Sequence, residues 1–357
     1  METWIVTGGA GFIGANFVQY ARKNRLAYII NLDALTYAGR RDNLLPVNDD
    51  LHHVFVHGDI NDAALVNDLF TTYNPHALIH FAAESHVDRS IGDPEVFLTT
   101  NILGTYTLLE AALTYWRRRT NAPDDRISKF RFLQVSTDEV YGSLGSHDAP
   151  FTETSPVSPN SPYSASKAAA DHLVRAFHET YGLPTLTTRC SNNYGPYQYP
   201  EKLLPLTLLR ALRDEPLVLH GDGQQIRDWL HVEDHCRALH AVLEKGRTGE
   251  IYNVGGACER TNEHFLRTLC KILDVKAPRN LPYKHSIQYG ADRPGNDRRY
   301  AIDSGKLTRD TGWTPQISLS AGLTATVEWY LDHKDWLQSR TEHMPAWRTP
   351  LWPEICA

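Results

Sequence analysis

Cysteine is scarce in this 357-residue sequence, and the five cysteines are scattered: Cys190, Cys236, Cys258, Cys270 and Cys356. No two of them form a C-x-x-C pair, and their number is odd. These spacings argue against a disulfide-stapled secreted domain and against a zinc site. We therefore expect a protein without a metal centre that works in the reducing cytoplasm.

The sequence also lacks an excess of basic residues, internal repeats and a long apolar run. Lysine and arginine total 36, against 42 aspartates and glutamates, and the net charge is −6. Because no basic stripe is interleaved with aromatics, we expect no nucleic-acid partner. The opening METWIVTGGAG contains neither a charged leader nor a membrane-spanning segment, so we expect no membrane partner. An anionic ligand would then need local arginines to hold it.

Short apolar runs alternate with helical patterns through the first half of the sequence. The runs TWIVTG, AYIINLD, HVFVHGDI, HALIHFAA and RFLQVST are rich in Val, Ile, Leu and Phe, as strands buried on both faces are. Helical patterns cover 13–24, 63–73 and 101–119, and two later runs, PTLTTRC and EIYNVGG, extend the series. This alternation predicts an α/β fold with a Rossmann-type, doubly wound parallel sheet.

A change of pattern at about residue 191 predicts a second, smaller domain. Two segments are typical of loops, NNYGPYQYPEKLLP and YGADRPGNDRRY, and helices and short strands are predicted between and after them. We expect a first domain over 1–190, with roughly 228–256 returning to it, and a C-terminal domain, mainly for substrate, over 191–337. The tail, 338–357, is rich in Trp and Pro, and its role is open.

A glycine-rich segment, VTGGAGFIG, places Gly8, Gly11 and Gly14 after the first strand and at the start of the first helix. Glycines allow a tight turn and a close backbone approach, and a helix N-terminus attracts a pyrophosphate. Asp33 ends the second strand about 20 residues later, where a carboxylate accepts hydrogen bonds from ribose hydroxyls and repels a 2′-phosphate. The segment therefore predicts a first domain that binds NAD rather than NADP. Asp59, at the end of the third strand, flanks the adenine or caps the next helix.

Tyr163 and Lys167 lie four residues apart, so they share one face of the helix predicted from SPYSASKAAADHLVRAFHETYG. Ser161 is placed to cap that helix. The helix N-terminus and a neighbouring ammonium would lower the pKa of the phenol, which would make Tyr163 a proton acceptor at neutral pH. Ser136 or Thr137 would supply a hydroxyl that binds the same substrate oxygen.

Asp138 and Glu139, in VSTDEVYG, follow the fifth strand directly. Ligands of open α/β sheets bind at the carboxyl ends of the strands, which favours a chemical role for this pair over an exposed polar turn. Neighbouring residues of a straight strand point to opposite faces, so both carboxyl groups can face one ligand only if the chain turns at Asp138. Two carboxyl groups this close tend to leave one protonated and one ionised.

The glycine segment, the strand ending at Asp33, VST and YSASK resemble the extended short-chain dehydrogenase/reductase family. A closer resemblance, to the nucleotide-sugar 4,6-dehydratases of that family, extends over the chain to about Leu331. The segments that carry it are AAESHVDRSI, STDEVYG, SNNYGPYQYPEKLLPL, GDGQQIRDWLHVEDH, YNVGG and DRPGNDRRYAID. The resemblance implies an NAD-dependent lyase with a Rossmann domain for NAD and a smaller domain for a nucleotide sugar, with dTDP-glucose the expected substrate. The implied reaction is oxidation at C4, loss of water across C5 and C6, and reduction at C6, which would supply 4-keto-6-deoxy sugars for rhamnose and polysaccharide synthesis.

The resemblance also implies roles for individual residues. Asp138 would be the acid for the C6 hydroxyl and Glu139 the base at C5. Tyr163 would take the C4 hydroxyl proton, with Lys167 tuning it and Thr137 orienting the sugar. The implied NAD contacts, besides Tyr163 and Lys167, are Gly8, Gly11, Phe12, Ile13, Gly14, Asp33, Ala34, Leu35, Thr36, Asp59, Ile60, Ala82, Ala83, Ser85, Thr100 and Asn193. The implied substrate contacts are Ser85, Thr137, Asn192, Lys202, Leu203, Arg227, Asn262 and Arg293, the last five of them around the nucleotide diphosphate.

A homodimer joined by a four-helix bundle of 101–119 and 163–181 is implied as well. Three alternatives to the expected function stay open. The first is a 4,6-dehydratase that acts on a UDP-sugar, since uracil and thymine differ by one methyl group. The second is a 4-epimerase, which would not need Asp138 and Glu139. The third is a non-catalytic NAD sensor, which would lack the Tyr–Lys pair. One departure is Asn296, which replaces a histidine of the family and removes a group that can become a cation.

Overall fold

The main sheet of the protein has seven parallel strands. The computed structural model describes residues 1–118, 129–292 and 295–340. The strands of this sheet are β1 (Glu2–Thr7), β2 (Ala27–Asp33), β3 (His53–His57), β4 (Ala77–His80), β5 (Arg131–Thr137), β6 (Thr185–Cys190) and β10 (Ile251–Val254). Their order is β10-β6-β5-β4-β1-β2-β3, which confirms the predicted doubly wound sheet.

Helices cover both faces of this sheet. The helices of the described residues are α1 (Phe12–Lys23), α2 (Ala63–Tyr73), α3 (Val87–Gly92), α4 (Glu95–Arg117), α5 (Pro162–Tyr181), α6 (Leu203–Leu212), α7 (Val232–Lys245), α8 (Asn262–Lys276), α9 (Gly305–Thr311), α10 (Leu319–Asp332) and α11 (Lys334–Ser339). On one face of the sheet, α1 and α7 enclose a core that includes Phe17, Val18 and Leu239. On the other face, α2, α4 and α5 enclose a core that includes Phe70 and Phe132.

Most of the chain after Ser191 packs around a third core. Trp229 stacks on Phe265 there, with 3.8 Å between ring centres, and α6, α8 and α10 surround the pair. Two small sheets belong to this region, and their strands are β7 (Asn192–Tyr194), β8 (Leu217–His220), β9 (Ile226–His231), β11 (Glu259–Thr261) and β12 (Ile287–Gly290). The strand orders of the two sheets are β11-β9-β7 and β12-β8.

Helix α4 differs from its prediction in length and character. It begins at Glu95, just after Pro94, and contains a π-helical segment at Leu98–Gly104. In the described residues it is the one helix long and apolar enough to cross a membrane by length and composition, although the sequence predicted no such run. Half of its most apolar window is buried inside the protein. A helix of a protein core passes the same test, and α4 packs against α2 and α5.

Candidate active site

The turn between β1 and α1 brings backbone atoms so close to Gly8 and Gly14 that neither position has room for a Cβ atom. Gly8 has φ +72°, and a Cβ atom there would lie 2.5 Å from the backbone nitrogen of Ala82. A Cβ atom on Gly14 would lie 2.2 Å from the carbonyl oxygen of Gly8. No side chain within the described ranges caps the start of α1, and its first turn carries no acidic residue. The backbone therefore presents an uncapped, positively polarised helix end, which fits a pyrophosphate.

Asp33 is fixed beside this turn at the end of β2. Its Oδ2 atom accepts a hydrogen bond from the backbone N–H of Ala10 at 2.8 Å, and its Oδ1 atom accepts one from Leu35 at 2.8 Å. Burial raises the pKa of the Asp33 carboxyl, while these two N–H groups act in the opposite direction. The Asp33 carboxyl group borders a cavity in which ribose hydroxyls can donate hydrogen bonds to it.

A cavity of about 320 Å³ runs from the glycine turn past the carboxyl ends of the central strands. It contains all five predicted catalytic side chains: Thr137, Asp138, Glu139, Tyr163 and Lys167. The predicted NAD contacts that line it are Gly8, Gly11, Phe12, Ile13, Gly14, Asp33, Ala34, Thr36, Asp59, Ile60, Ala82, Ala83, Ser85, Thr100 and Asn193, and the predicted substrate contacts are Ser85, Thr137, Asn192 and Lys202. One continuous space therefore joins the predicted cofactor and sugar sites.

The acid pair lies at a turn, as its chemistry requires. β5 ends at Thr137, and a short 3₁₀ helix begins at Asp138. The Thr137 hydroxyl accepts a hydrogen bond from the backbone N–H of Glu139 at 3.3 Å, which caps that helix. Gly142, with φ +86°, ends it. The turn brings both carboxyl groups to the cavity, so the predicted change of direction at Asp138 is confirmed.

Asp138 is buried, and its environment favours the protonated form. Burial raises the pKa of its carboxyl well above the usual range, and the charges of Glu139 and Asp228 act in the same direction. The charge of Arg227 opposes them. The Oδ2 atom of Asp138 is buried and has no hydrogen-bond partner in the part of the chain that the structure describes. A carboxyl group that keeps its proton and borders the cavity is chemically able to donate that proton to a ligand.

Tyr163 departs from its prediction. Its helix begins as expected, because Ser161 and Ser164 cap each other's backbone N–H groups ahead of it. However, burial raises the pKa of the Tyr163 phenol well above its usual range, with the charge of Glu139 adding to the effect and the Thr137 hydroxyl opposing it. The expectation of a lowered phenol pKa is wrong for the protein alone, since desolvation outweighs the helix end and the ammonium.

The predicted diphosphate contacts are only partly brought together. Of the described ones, Lys202 lines the cavity and donates to the carbonyl of Ser85 at 3.0 Å. Leu203, Arg227 and Asn262 lie outside its lining, as does the predicted NAD contact Leu35. Leu203 begins α6 and packs against the third core, and Asn262 begins α8. Arg293 lies outside the described residues.

Arg227 is held beside the acid pair rather than in the open cavity. Its guanidinium lies 4.5 Å from the centre of the Tyr300 ring, and its Nη2 atom donates to Oδ1 of Asn296 at 3.1 Å. The amide of Asn296 donates in turn to Asp292 at 2.7 Å. The residue that departs from the family pattern thus accepts from one predicted phosphate ligand and bridges it to a carboxylate.

Two further acidic side chains, which the sequence did not predict, line the cavity: Glu84 and Glu201. Glu201 accepts a hydrogen bond from the Tyr37 hydroxyl at 3.0 Å, and burial raises its pKa to about 7. Glu84 pairs with Arg89 at 3.0 Å. Both lie in motifs quoted above, but no local spacing distinguishes them from surface acids. No group of histidines, cysteines and acids among the described residues could hold a metal ion.

Known proteins match this chain over most of its length. The profile of the family described as GDP-mannose 4,6 dehydratase matches residues 5–326. A dTDP-glucose 4,6-dehydratase of Xanthomonas campestris is 56% identical over 340 residues, 95% of each chain. The crystal structure of a Streptomyces venezuelae dTDP-glucose 4,6-dehydratase with NAD bound is 45% identical, with TM-score 0.85, over 95% of this chain and 99% of that one. A UDP-glucose 4-epimerase of Thermotoga maritima is 29% identical, with TM-score 0.81, over 93% and 99%. The chain belongs to the dTDP-glucose 4,6-dehydratase family, within the extended short-chain dehydrogenases/reductases.

Proposed function

We propose that this protein is an NAD-dependent hydro-lyase that converts dTDP-glucose to dTDP-4-keto-6-deoxyglucose. One observation carries the proposal: Asp138, an acid whose buried carboxyl favours its proton, adjoins Glu139 in the cavity that also holds Tyr163 and Lys167. Curated relatives with this activity in their names are 50% to 56% identical to the chain. An epimerase would have no use for the acid pair.

NAD is the cofactor of the proposed reaction, and the residues present fit it. The uncapped start of α1 receives the pyrophosphate and Asp33 the adenosine ribose. When bound, NAD supplies the oxidation at C4 and the reduction at C6. The remaining contacts are the NAD set predicted above, of which Leu35 faces the core rather than the cavity.

Tyr163 takes the proton of the C4 hydroxyl, and Thr137 orients that oxygen. Because burial raises the phenol pKa, the phenolate is not available in the protein alone. The role of Tyr163 therefore needs the site to be filled, as catalytic hydrogen bonds often form only in the complex. Lys167 is the cation on the same helix face; its ammonium donates to the carbonyl of Val135 at 2.9 Å.

The acid pair removes water from the oxidised sugar. A carbonyl at C4 acidifies the hydrogen on C5, and Glu139 takes that proton. Asp138 gives its proton to the C6 hydroxyl, which leaves as water. The two steps need one ionised and one protonated carboxyl group, and the burial of Asp138 together with the charge of Glu139 favours that division.

We further propose that the first domain, 1–190 with roughly 228–256, holds NAD and that 191–337 holds mainly the nucleotide sugar. Lys202, Arg227, Asn262 and Arg293 hold the diphosphate end, where an arginine fork matches phosphate oxygens. Leu203 is left out of this set because it packs against the third core. Working in the cytoplasm, the enzyme supplies 4-keto-6-deoxy sugars for rhamnose and polysaccharide synthesis.

A homodimer fits the outer face of α4 and α5, and we include it in the proposal. Leu98, Leu103 and Tyr106 of α4 are 46% to 55% exposed, although all three are apolar or aromatic. Beside them α5 exposes Ala165 and Ala176, small residues that allow close helix packing. The two helices of each subunit together would form a four-helix bundle.

The oligomeric state tests the dimer. Leu103→Glu places a charge at the centre of this face, and light scattering should then report a monomer. The control is Leu51→Glu, because Leu51 is 90% exposed in a loop far along the chain from both helices. A Leu103→Glu protein that keeps the parent mass contradicts the four-helix arrangement.

Product analysis in heavy water tests the reaction. dTDP-glucose should lose one water and carry deuterium at C5, because Glu139 exchanges its proton with solvent. An unlabelled C4 epimer would overturn the dehydratase in favour of the epimerase, and no conversion with intact NAD binding would favour a sensor. UDP-glucose in a parallel reaction decides the base, since one methyl group is worth only about 1–3 kcal/mol of discrimination.

A further inference from the structure

The last helix of the described chain, α11, contacts the glycine turn through two side chains. Trp336 donates its indole N–H to Oδ1 of Asn43 at 3.0 Å, and Nδ2 of Asn43 donates to the carbonyl of Ala10 at 2.8 Å. The backbone N–H of Ala10 donates to Oδ2 of Asp33 at 2.8 Å. Three hydrogen bonds therefore lead from the C-terminal helix to the carboxyl group assigned to the NAD ribose.

The indole fixes which way the Asn43 amide points. An indole N–H can only donate, so the atom of Asn43 that faces it must be the amide oxygen. The amide nitrogen then faces Ala10, whose carbonyl can only accept. Asn43 is almost wholly buried, so its amide has no solvent to turn toward. Trp336 thus orients the side chain that supports the glycine turn.

Arg340 anchors the same helix end. Its guanidinium donates to Asp42 at 2.6 Å and lies 4.5 Å from the centre of the Trp336 ring. Only 2% of Arg340 is exposed. Its own carbonyl accepts from the hydroxyl of Tyr199 at 3.3 Å, and Tyr199 lines the cavity. Arg340, the residue that follows α11, is therefore hydrogen-bonded both to the segment that carries Asn43 and to Tyr199 in the cavity wall.

We infer that Trp336 is a positioning residue for the NAD site: through Asn43 and Ala10 it holds the glycine turn and Asp33 in the geometry that retains NAD, and Arg340 holds Trp336 in place. None of these side chains except Asp33 borders the cavity. The effect is therefore on cofactor retention and acts through other residues. The inference rests on the proposed NAD site but not on the dehydration chemistry.

Exchange of bound NAD tests it on the intact holoenzyme. The protein is loaded with NAD and mixed with isotopically labelled NAD, and the exchange is followed by mass spectrometry. Trp336→Phe keeps an aromatic ring at this position but removes the N–H donor together with the five-membered ring of the indole, and Trp329→Phe removes the same atoms at a neighbouring site. We expect exchange roughly three to ten times faster, as the loss of one hydrogen bond in such a chain implies. Asn43→Ala should accelerate exchange at least as much, and the double variant no further than Asn43→Ala alone.

Trp329→Phe is the matched control. Trp329 lies 5.4 Å from Trp336, ring centre to ring centre, and packs against Tyr197 and His333. It should lose thermal stability as Trp336→Phe does, without faster exchange. Equal exchange in the two tryptophan variants would overturn the inference while leaving the proposed function intact. An unaltered protein that binds no NAD would instead defeat the proposed function, and the inference with it.

Discussion

The ammonium group of Lys167 donates a hydrogen bond to the backbone carbonyl of Val135, 2.9 Å away. This bond ties the first turns of α5 to β5, two residues before the strand ends at Thr137. Burial lowers the pKa of Lys167, and Asp171 opposes that change. The phenol of Tyr163 and the acid pair are therefore carried by one unit, built from a strand and the helix packed on it.

Asp138→Asn should separate the two halves of the reaction. The amide cannot protonate the C6 hydroxyl, so water loss should slow by on the order of 10². In the proposed mechanism oxidation at C4 uses Tyr163 and not Asp138, so it should continue and reduced NAD should accumulate. Stopped-flow absorbance of reduced NAD, together with product formation, measures both steps in one experiment.

The matched variant for that experiment is Glu139→Gln. It should also leave C4 oxidation intact, but it should abolish deuterium uptake at C5, because the base is lost. Should Asp138→Asn slow oxidation and water loss equally, the carboxyl group is not the acid for the leaving hydroxyl.

The pH profile of C4 oxidation should rise toward alkaline pH. In its proposed role Tyr163 must be deprotonated to accept a proton. Burial raises the pKa of its phenol, so the reactive fraction should grow as pH increases. The Thr137 hydroxyl lowers that pKa. Thr137→Val should therefore move the rising limb to higher pH and slow oxidation at neutral pH roughly fivefold. Single-turnover formation of reduced NAD across a pH series gives the profile.

Ser136 offers the internal comparison, because the sequence left it open as the hydroxyl partner. Its side chain is buried beside Thr137 in the same cavity. Ser136→Ala should leave the rising limb of the pH profile of C4 oxidation unchanged. A shift with Ser136→Ala and none with Thr137→Val would exchange the two roles.

Glu201 should make the fold less stable as pH rises toward neutrality. Burial raises its pKa from 4.5 to about 7. Between those values the folded state keeps a proton that the unfolded state has released, so stability falls as pH rises through this range and the loss is complete above it. Glu201→Gln removes the titrating group. Above pH 7 the variant should exceed the parent protein by at most about 3 kcal/mol in free energy of unfolding.

Denaturant unfolding at a series of pH values checks this. Below the ordinary pKa of a glutamate the two proteins should be about equally stable, because Glu201 is then protonated in both states. Asp68→Asn, an exposed site on α2, controls for the loss of one negative charge. A constant difference between Glu201→Gln and parent across the series would contradict the raised pKa.

The sequence was sufficient where a function depends on neighbouring residues. The turn at Gly8, the capped start of α5 and the change of direction at Asp138 all follow from local chemistry, and each is present. It was insufficient where burial or distant contacts decide. The phenol pKa of Tyr163 depends on how deeply the ring lies, which no spacing reveals.

Distant contacts explain the remaining omissions. Glu201 meets Tyr37 across 164 residues of sequence, and Trp336 meets Asn43 across 293. The predicted diphosphate contacts rest on the resemblance alone. Leu203, Arg227 and Asn262 lie on three separate elements, α6, β9 and α8, so only the tertiary fold decides whether their side chains reach one cavity. Leu203, at the start of α6, packs into the third core instead of facing that cavity.

Arg227 should have two separable functions, one in binding and one in acid catalysis. Its fork is assigned to the nucleotide diphosphate, and its charge lowers the pKa of Asp138 against the effect of burial. Arg227→Gln should therefore raise the KM for dTDP-glucose by roughly tenfold or more, because a charged hydrogen-bond donor to phosphate is lost. It should also move the alkaline limb of the water-loss step to higher pH, since without the arginine Asp138 keeps its proton longer.

Arg227→Lys distinguishes the two effects. Lysine keeps the positive charge and loses the fork, so KM should still rise while the alkaline limb stays near that of the parent protein. Single-turnover product formation over a pH series, with saturating substrate, isolates the limb from the change in KM. Identical profiles for the Gln and Lys variants would show that the charge of Arg227 does not act on Asp138, and the acid would then owe its protonation state to burial, Glu139 and Asp228 alone.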